Sequence, residues 1–243
     1  KEFIKKRLRE IRIHDEILNF LVYFVDGHPY YMDVIADKIS SKLEHAKFKI
    51  ITKSLIFDII EEELFRSKGT FNQYFMNSIA SFQLNDQNRN FMDVMGALGD
   101  GRYTLKGISE SLQGRSPEIG EKLDYLEESN FIVKKGTFYG FVDRVMEFWL
   151  KNVYSIKQKS FIIDITETIK KFRKNLETLY QEFLADSKLS LSARLMPLIG
   201  SFNNEIVEID KKSHRLIKFS KITEYAGKDN LILSETESKK WVF

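Results

Sequence analysis

The sequence contains no cysteine, few prolines and almost no excess charge of either sign. The lack of cysteine excludes disulfide scaffolds, thiolate zinc sites and cysteine nucleophiles, and it suits a reducing cytoplasm. With three prolines in 243 residues, no stiff proline-rich linker divides the chain. Lys and Arg total 38 against 35 Asp and Glu, a net charge of +3. Bulk charge therefore gives no indication of a nucleic-acid-binding protein.

Long apolar runs are also missing. The best one, 18–25, is interrupted by Asn19, and none approaches the roughly 18 residues of a membrane span. We therefore predict a soluble, cytoplasmic protein with no membrane partner. Hydrophobic residues make up 43% of the chain, enough for one large domain or two to three small ones. Because the chain starts at Lys1 rather than at a methionine, we expect it to belong to a longer protein.

The first third of the chain has the apolar spacing of helices. Asp15 is a predicted N-cap for a helix at about 16–26, and Gly27 stands where a helix ends. Pro29 then occupies the favoured first position of another helix. We expect this region to be all-helical.

The middle of the chain combines short helices with a hairpin. Helices are predicted at about 87–98 and 104–112 and from Ser116, followed by strands at 131–134 and 137–142. Three helices and then a hairpin is the order of a winged helix-turn-helix.

The rest of the chain is predicted to be helical and then strand-rich. Asp143 caps a helix that turns Phe148 and Trp149 inward, and more helices are expected around 161–184 and 189–198. Strands follow at 205–209, 215–222 and 230–234. The predicted fold class is mainly α with an α+β tail: a helical subdomain (1–84), a winged-helix domain (85–155) and a small C-terminal α/β module (156–243).

Motifs of common enzymes give little support for catalysis. Residues 96–103 have the glycine spacing of a P-loop, but Arg102 and Tyr103 stand where Lys and Ser/Thr would hold phosphates and magnesium. We interpret this segment as a turn between helices. The four histidines form no HExxH pair, and no GxSxG is present, so no metal or catalytic residue is assigned.

The predicted winged helix raises the possibility of DNA binding, but its third helix is acidic. From Ser116 to Asn130 it has one base, Lys122, against Glu118, Glu121, Asp124, Glu127 and Glu128. Such a helix repels phosphates. The favourable cations are Arg102, Lys106, Arg115, Lys134 and Lys135. We favour a structural or protein-docking role, and DNA contact by Arg115, Lys122, Lys134 and Lys135 stays open.

The segment Asp26-Gly27-His28-Pro29-Tyr30-Tyr31 has two interpretations. It is either a plain helix stop, turn and helix start, or a place where a helix N-terminus and an aromatic surface together suit a nucleotide's phosphate and base.

Gly27-His28-Pro29-Tyr30-Tyr31-Met32 resembles the GxP motif in the lid of archaeal-type STAND ATPases, a branch related to AAA+ ATPases. The predicted winged helix falls where that family has one. The segment 143–150 (DRVMEFWL) resembles the family's D-P-hydrophobic-x-x-F-W-hydrophobic signature, with Arg144 in place of proline. The resemblance covers about residues 10–155.

The resemblance implies that residues 1–84 are a lid that contacts ATP or ADP. Pro29 is then expected near the adenine, with Gly27, His28 and Tyr30 near the bound nucleotide. The P-loop, the acidic magnesium residue and the polar sensor would lie upstream of Lys1, so magnesium is expected only together with that upstream P-loop domain.

The tail is similar, more weakly, to PD-(D/E)XK nucleases. Glu208-Ile209-Asp210 matches that family's first strand, and Phe219-Ser220-Lys221 stands at the second with Phe219 replacing an acid. Loss of one carboxylate removes a metal ligand, which implies a degenerate module. The alternative is an unrelated small α/β cap. A third carboxylate beside Asp210 and Lys221, from Glu177 or Glu205, would restore the active interpretation.

Our leading hypothesis is the non-catalytic C-terminal regulatory region of a STAND-type ATPase. Its lid would close on ATP or ADP, and its winged helix would couple the nucleotide state to a protein or nucleic-acid partner. The rival is a freestanding winged-helix DNA-binding protein. Its signature would be a continuous basic surface that joins Lys134 and Lys135 to the basic tract Lys151, Lys157, Lys159, Lys170, Lys171, Arg173 and Lys174. A metal-dependent nuclease that depends on Asp210 is the third hypothesis.

Overall fold

The computed structural model describes residues 2–8, 11–83, 91–114, 116–156, 164–201, 203–204, 206–209, 212–224, 232–236 and 239–242. Within these ranges the chain is mainly helical with small sheets, which confirms the predicted fold class. The chain divides into two compact units. Unit 1 comprises Lys1–Val133 and Gly140–Tyr180, and unit 2 comprises Lys134–Tyr139 and Gln181–Phe243. The domain boundaries after residues 84 and 155 stay predictions.

Unit 1 begins with five helices and one minimal strand pair. The helices are α1 (Glu2–Arg7), α2 (Asp15–Phe24), α3 (Pro29–Leu43), α4 (Lys53–Phe65) and α5 (Thr70–Gln83). The strands β1 (Arg12–Ile13) and β2 (Ile50–Ile51) pair in parallel. Neither strand was expected, because two residues carry no measurable period. The predicted N-cap is also wrong by one residue: His14 caps α2 without a side-chain hydrogen bond, and Asp15 lies in its first turn.

Aromatic side chains hold unit 1 together. Phe20 of α2 meets Tyr180 edge-on at 4.9 Å between ring centroids, and Phe24 meets Phe148 at 5.5 Å. Phe148 in turn contacts Phe172 at 5.6 Å. Such pairs contribute about 0.5–1.5 kcal/mol each beyond the area they bury. They fix α2 against segments that lie more than a hundred residues away in the sequence.

The predicted order of three helices and a hairpin is present after residue 90. It consists of α6 (Phe91–Gly99), α7 (Leu105–Leu112), α8 (Ser116–Glu128), β3 (Ile132–Lys135) and β4 (Phe138–Phe141). The three helices contact one another, and β3 and β4 form a two-stranded sheet. Gly101 has a φ of 90° in the turn between α6 and α7, so residues 96–103 join helix to helix as predicted. The assignment as a winged helix-turn-helix stays a prediction.

Helix α9 (Arg144–Trp149) continues into a π-helical segment, Leu150–Tyr154. Within this wider helical turn, the side-chain amide of Asn152 donates a hydrogen bond to the backbone carbonyl of Phe148 at 2.8 Å. Asn152 also accepts from Asn175 at 2.6 Å. Asn175 belongs to α10 (Ile165–Lys188), so a pair of side-chain amides joins the π-helical segment to this long helix.

Unit 2 contains α11 (Leu191–Ser201) and two antiparallel sheets. One sheet is a hairpin of β5 (Ile206–Ile209) and β6 (Lys212–Arg215). The other orders β7 (Lys221–Glu224), β8 (Ile232–Glu235) and β9 (Lys240–Val242). Helix α11 packs on β7. The residue before the helix is Ser190, whose hydroxyl accepts from the Ala193 amide at 3.0 Å.

The strand predicted at 215–222 is wrong, because the chain leaves strand geometry between Leu216 and Ser220. The Asn203 side chain accepts from the Phe219 amide at 2.7 Å and donates to the Phe219 carbonyl at 2.9 Å. These bonds occupy both backbone groups of Phe219, which are then unavailable to a strand ladder. In the described ranges, no helix has both the length and the apolar character needed to cross a membrane.

Candidate functional site

The turn between α2 and α3 reverses the chain through two consecutive residues with left-handed backbone. Asp26 has a φ of 48° and Gly27 a φ of 69°. The Gly27 amide donates to the Val22 carbonyl at 2.9 Å, which closes the end of α2. His28 is then extended and Pro29 is the first residue of α3. The helix stop and helix start predicted here are confirmed.

The residues of this turn are exposed, whereas the next one is buried. Asp26, Gly27, His28 and Pro29 are exposed and Tyr30 is 43% exposed, but Tyr31 is only 2% exposed. The first intrahelical bond runs from the Met32 amide to the His28 carbonyl at 3.1 Å. The amides before Met32 therefore have no acceptor within α3, as in the first turn of any helix. The turn offers a partially positive helix end at the surface.

Tyr31 connects this turn to the start of α9. Its hydroxyl donates a hydrogen bond to Oδ2 of Asp143, which is 112 positions later in the sequence. The other oxygen of Asp143 caps α9, accepting from the amides of Val145 at 2.8 Å and Met146 at 3.0 Å. Burial, and then the bond to Asp143, raises the pKa of Tyr31 above its ordinary range. The phenol therefore remains a proton donor at neutral pH.

Arg144 makes a second connection between the same elements. Its guanidinium carbon lies 4.3 Å from the centroid of the Tyr23 ring, and Nη1 donates to the Tyr23 carbonyl at 3.1 Å. This carbonyl, which also accepts from the Asp26 amide at 3.3 Å, lies at the C-terminal end of α2, where a positive charge is favourable. Arg144 therefore contacts α2 through both the face of its guanidinium and its Nη1 donor.

A cleft of about 480 Å³ lies against this junction. Its walls come from the α2–α3 turn, α5, the end of α8 and the β4–α9 connection. The lining residues are Val25, Asp26, His28, Tyr31, Tyr74, Ser78, Ser129, Asn130, Phe131, Val142, Asp143, Arg144 and Met146. All of them belong to unit 1. Aromatic rings, one guanidinium, hydroxyls and carboxylates therefore surround one volume.

Tyrosines extend the aromatic surface from the turn to α5. The His28 ring lies 4.6 Å from that of Tyr31, and Tyr30 lies 5.9 Å from Tyr74. Tyr74 is 49% exposed. Sequence reasoning missed it, since the apolar stripe of α5 passes through Phe71 and Phe75. What could have identified Tyr74 in the sequence is that it is an aromatic residue at a position of α5 outside the apolar stripe.

Of the candidate nucleotide contacts, His28 lines the cleft. Gly27, Pro29 and Tyr30 are close to His28 in the sequence and are exposed at the surface. The structure groups these four residues on one turn, and their contact with a nucleotide stays a prediction.

The candidate nucleic-acid contacts are spread over two elements. Lys122 lies on the acidic helix α8. Lys134 and Lys135 are exposed on β3, where the ammonium of Lys134 lies 5.6 Å from the centroid of the Tyr139 ring. Arg115 lies outside the described residues.

The nuclease-like residues give no metal site in the part of the chain that is described. Glu208 and Lys221 lie on strands of different sheets, and Glu177 accepts at 2.9 Å from Lys53. Asp210 and Glu205 lie outside the described residues. Among the described residues, no group of three histidines or carboxylates is placed to hold a metal ion.

Comparison with known proteins gives a distant likeness. No protein-family model and no curated protein sequence matches the chain. A Walker-type ATPase of Pyrococcus abyssi is a solved structure with partial similarity, at 17% identity and a TM-score of 0.46. The match covers 61% of this chain, and the chain spans 40% of that structure.

Proposed function

We propose that the chain is a non-catalytic, nucleotide-sensing region of a STAND-type ATPase. The helices that include the α2–α3 turn act as its lid, and α6–α9 with the β3–β4 hairpin form the coupling element. ATP or ADP binds at the turn, with magnesium supplied through a separate P-loop domain. The position of α9 then reports the nucleotide state to a protein or nucleic-acid partner.

The observation that supports this proposal best is the bond between Tyr31 and Asp143. The two motifs identified in the sequence are far apart in the chain, yet Tyr31 of the first and Asp143 of the second share a hydrogen bond and a cleft. A force on the first turn of α3 acts directly on the cap of α9. This linkage suits a coupling role better than two unrelated turns would.

The chemistry of the turn fits the ligand in part. Exposed Tyr30 and Tyr74 offer flat surfaces for a purine, and the start of α3 favours a negative group. Arg144 adds a cation within the cleft wall. In this proposal the turn contacts the base and part of the phosphate chain, and the P-loop domain supplies the remaining phosphate contacts.

The test is ADP and ATP affinity of the 243-residue chain. We expect weak binding, in the millimolar range, and no ATP turnover. Tyr30→Ala should weaken ADP binding several-fold, whereas Tyr103→Ala, a 47% exposed tyrosine elsewhere, should leave it unchanged. ATP turnover by this chain, or equal effects of the two substitutions on ADP binding, would contradict the proposal. Salt-dependent duplex binding that is lost on reversing Lys134 and Lys135 would support the DNA-binding alternative instead.

A further inference from the structure

Two basic segments of unit 1 lie side by side because of the minimal strand pair. One is α1 with β1, and the other is the connection from α3 to β2, residues 44–49. Arg12 is in register with Ile50, and the Arg12 amide donates to the Lys49 carbonyl at 2.9 Å.

Most of the charge on these segments is positive. The described cations are Lys5, Lys6, Arg7, Arg12, Lys47 and Lys49, and the described acids are Glu2 and Glu44. Lys5 pairs with Asp15 at 3.1 Å, and Arg7 with Asp37 at 2.9 Å.

Three of the cations are not neutralised by ion pairs. Within the described ranges, Lys6, Arg12 and Lys47 have no carboxylate within the 4.0 Å of an ion pair. The described parts of the two segments therefore carry more cations than acids, and three of those cations are available to an anionic partner.

An exposed aromatic residue, Phe48, stands between two lysines in one of these segments. Phe48 is 71% exposed, the largest exposed fraction of any large hydrophobic side chain among the described residues. The ammonium of Lys47 lies 5.7 Å from the centroid of its ring. A phenylalanine this exposed contributes almost no burial energy to the fold, since apolar stabilisation scales with the area removed from water.

A second cleft, of about 500 Å³, adjoins the same surface. Lys49, the residue after Phe48, lines it together with Lys6, Arg7, Ser40 and Ser41. Glu44 is the acid in its wall. Ammonium and hydroxyl groups in one groove are suitable donors to phosphate oxygens.

We propose that this surface binds single-stranded nucleic acid. We define the strand surface as Lys6, Arg12, Lys47, Phe48 and Lys49. A base stacks on the Phe48 ring, and the backbone phosphates lie along the lysines and the second cleft. Lysines around an exposed ring are the combination that holds unpaired bases. This inference is independent of the proposed nucleotide site on the α2–α3 turn.

Duplex and membrane partners fit the strand surface less well. A paired base keeps its faces inside the stack, so Phe48 has nothing to stack on in a duplex. A bilayer needs a broad apolar face, yet the apolar residues Ile4 and Leu8 of this region are buried. Among the described side chains of these segments and β2, Phe48 and Ile50 (41%) are the large apolar ones that are exposed, whereas Ile11 and Ile13 are half-buried.

The test measures binding of a fluorescent oligothymidylate of about 12 nucleotides, within the usual site size, to the 243-residue chain by anisotropy. Phe48→Ala should weaken binding about fivefold or more, the lower end of the effect of one stacked base. Lys6→Gln/Lys47→Gln should make the slope of log affinity against log salt shallower by about 1.4, at roughly 0.7 per phosphate contact. Circular dichroism verifies that each variant is folded.

The matched controls are Tyr103→Ala, for an exposed ring, and Lys171→Gln/Lys174→Gln, for two exposed lysines of the basic tract on α10. Both should bind as the parent chain does. Binding unchanged in Phe48→Ala, or lost mainly in the α10 control, would overturn the proposal. The proposal would also be overturned if Phe48→Ala weakened binding to phosphatidylserine vesicles more than binding to the oligonucleotide.

Discussion

The bond between Tyr31 and Asp143 makes a quantitative prediction about coupling. Asp143→Ala removes the cap of α9, at a cost of about 0.5–2 kcal/mol. It also leaves the hydroxyl of Tyr31, a residue that is 2% exposed, without its acceptor, at about 1–3 kcal/mol. We expect the free energy of unfolding to fall by about 2–4 kcal/mol.

Tyr31→Phe separates the two contributions. In the parent chain it should cost about 1–3 kcal/mol, because a bond to a charged acceptor is lost. In Asp143→Ala it should be nearly neutral or stabilising, because the unpaired hydroxyl disappears. The double-mutant cycle should therefore show a coupling of about 1–2 kcal/mol between the two sites. Asp143→Asn keeps one acceptor oxygen, which can still cap α9, so it should lose least.

The assay is urea unfolding followed by tryptophan fluorescence. The chain has two tryptophans, and a Trp241→Phe background leaves Trp149 as the sole reporter. Trp149 is fully buried in unit 1, where its indole donates to Asn72 at 2.9 Å. If the two single substitutions add within about 0.3 kcal/mol, as independent sites do, the reasoning is refuted.

Two further predictions concern the α2–α3 turn and the tail. Gly27→Ala should destabilise unit 1 by about 1–2 kcal/mol, because its φ of 69° disfavours a side chain, whereas Gly120→Ala inside α8 should stabilise it by up to about 1 kcal/mol. An added Cβ meets nothing within 4 Å at either position, so only the backbone conformation distinguishes the two substitutions. If both change the melting temperature in the same direction, the backbone explanation is wrong. In unit 2, hydrogen bonds from Ser190 and Ser192 hold the pKa of Glu224 below its ordinary range. The stabilisation is present at neutral pH and lost as pH falls through that lowered pKa. Glu224→Gln should therefore make the free energy of unfolding depend less on pH on the acid side. If that dependence is no weaker than in the control Glu182→Gln, the explanation is wrong.

Local signals in the sequence were sufficient for much of the fold. Gly27 and Pro29 marked a helix stop and start because left-handed backbone and a fixed φ are properties of single residues. The predicted N-cap Asp143 is confirmed. It too is a local feature, because its side chain accepts from amides only two and three residues ahead. The inward positions of Phe148 and Trp149 followed from helical period.

The remaining features depend on contacts between distant segments. Nothing in the sequence near Tyr31 indicates that its hydroxyl meets Asp143, and the hydrogen bonds from Asn203 to Phe219 ended a strand that local propensity predicted. The pairing of β1 with β2 places Arg12 opposite Ile50, two residues after Phe48, without any periodic signal. Such features arise from tertiary packing, which local sequence patterns do not encode.

Amide chemical shifts report on the proposed nucleotide contact at the first turn of α3 residue by residue. In a titration of the isotope-labelled 243-residue chain with ADP, the amides of Gly27, His28, Tyr30 and Tyr31 should shift with a common, saturable dependence on concentration. Tyr30→Ala should weaken that dependence, and the amide of Gly101, in the turn between α6 and α7, should not shift. Shifts that are absent at millimolar ADP, or that centre on Gly101, would contradict the account.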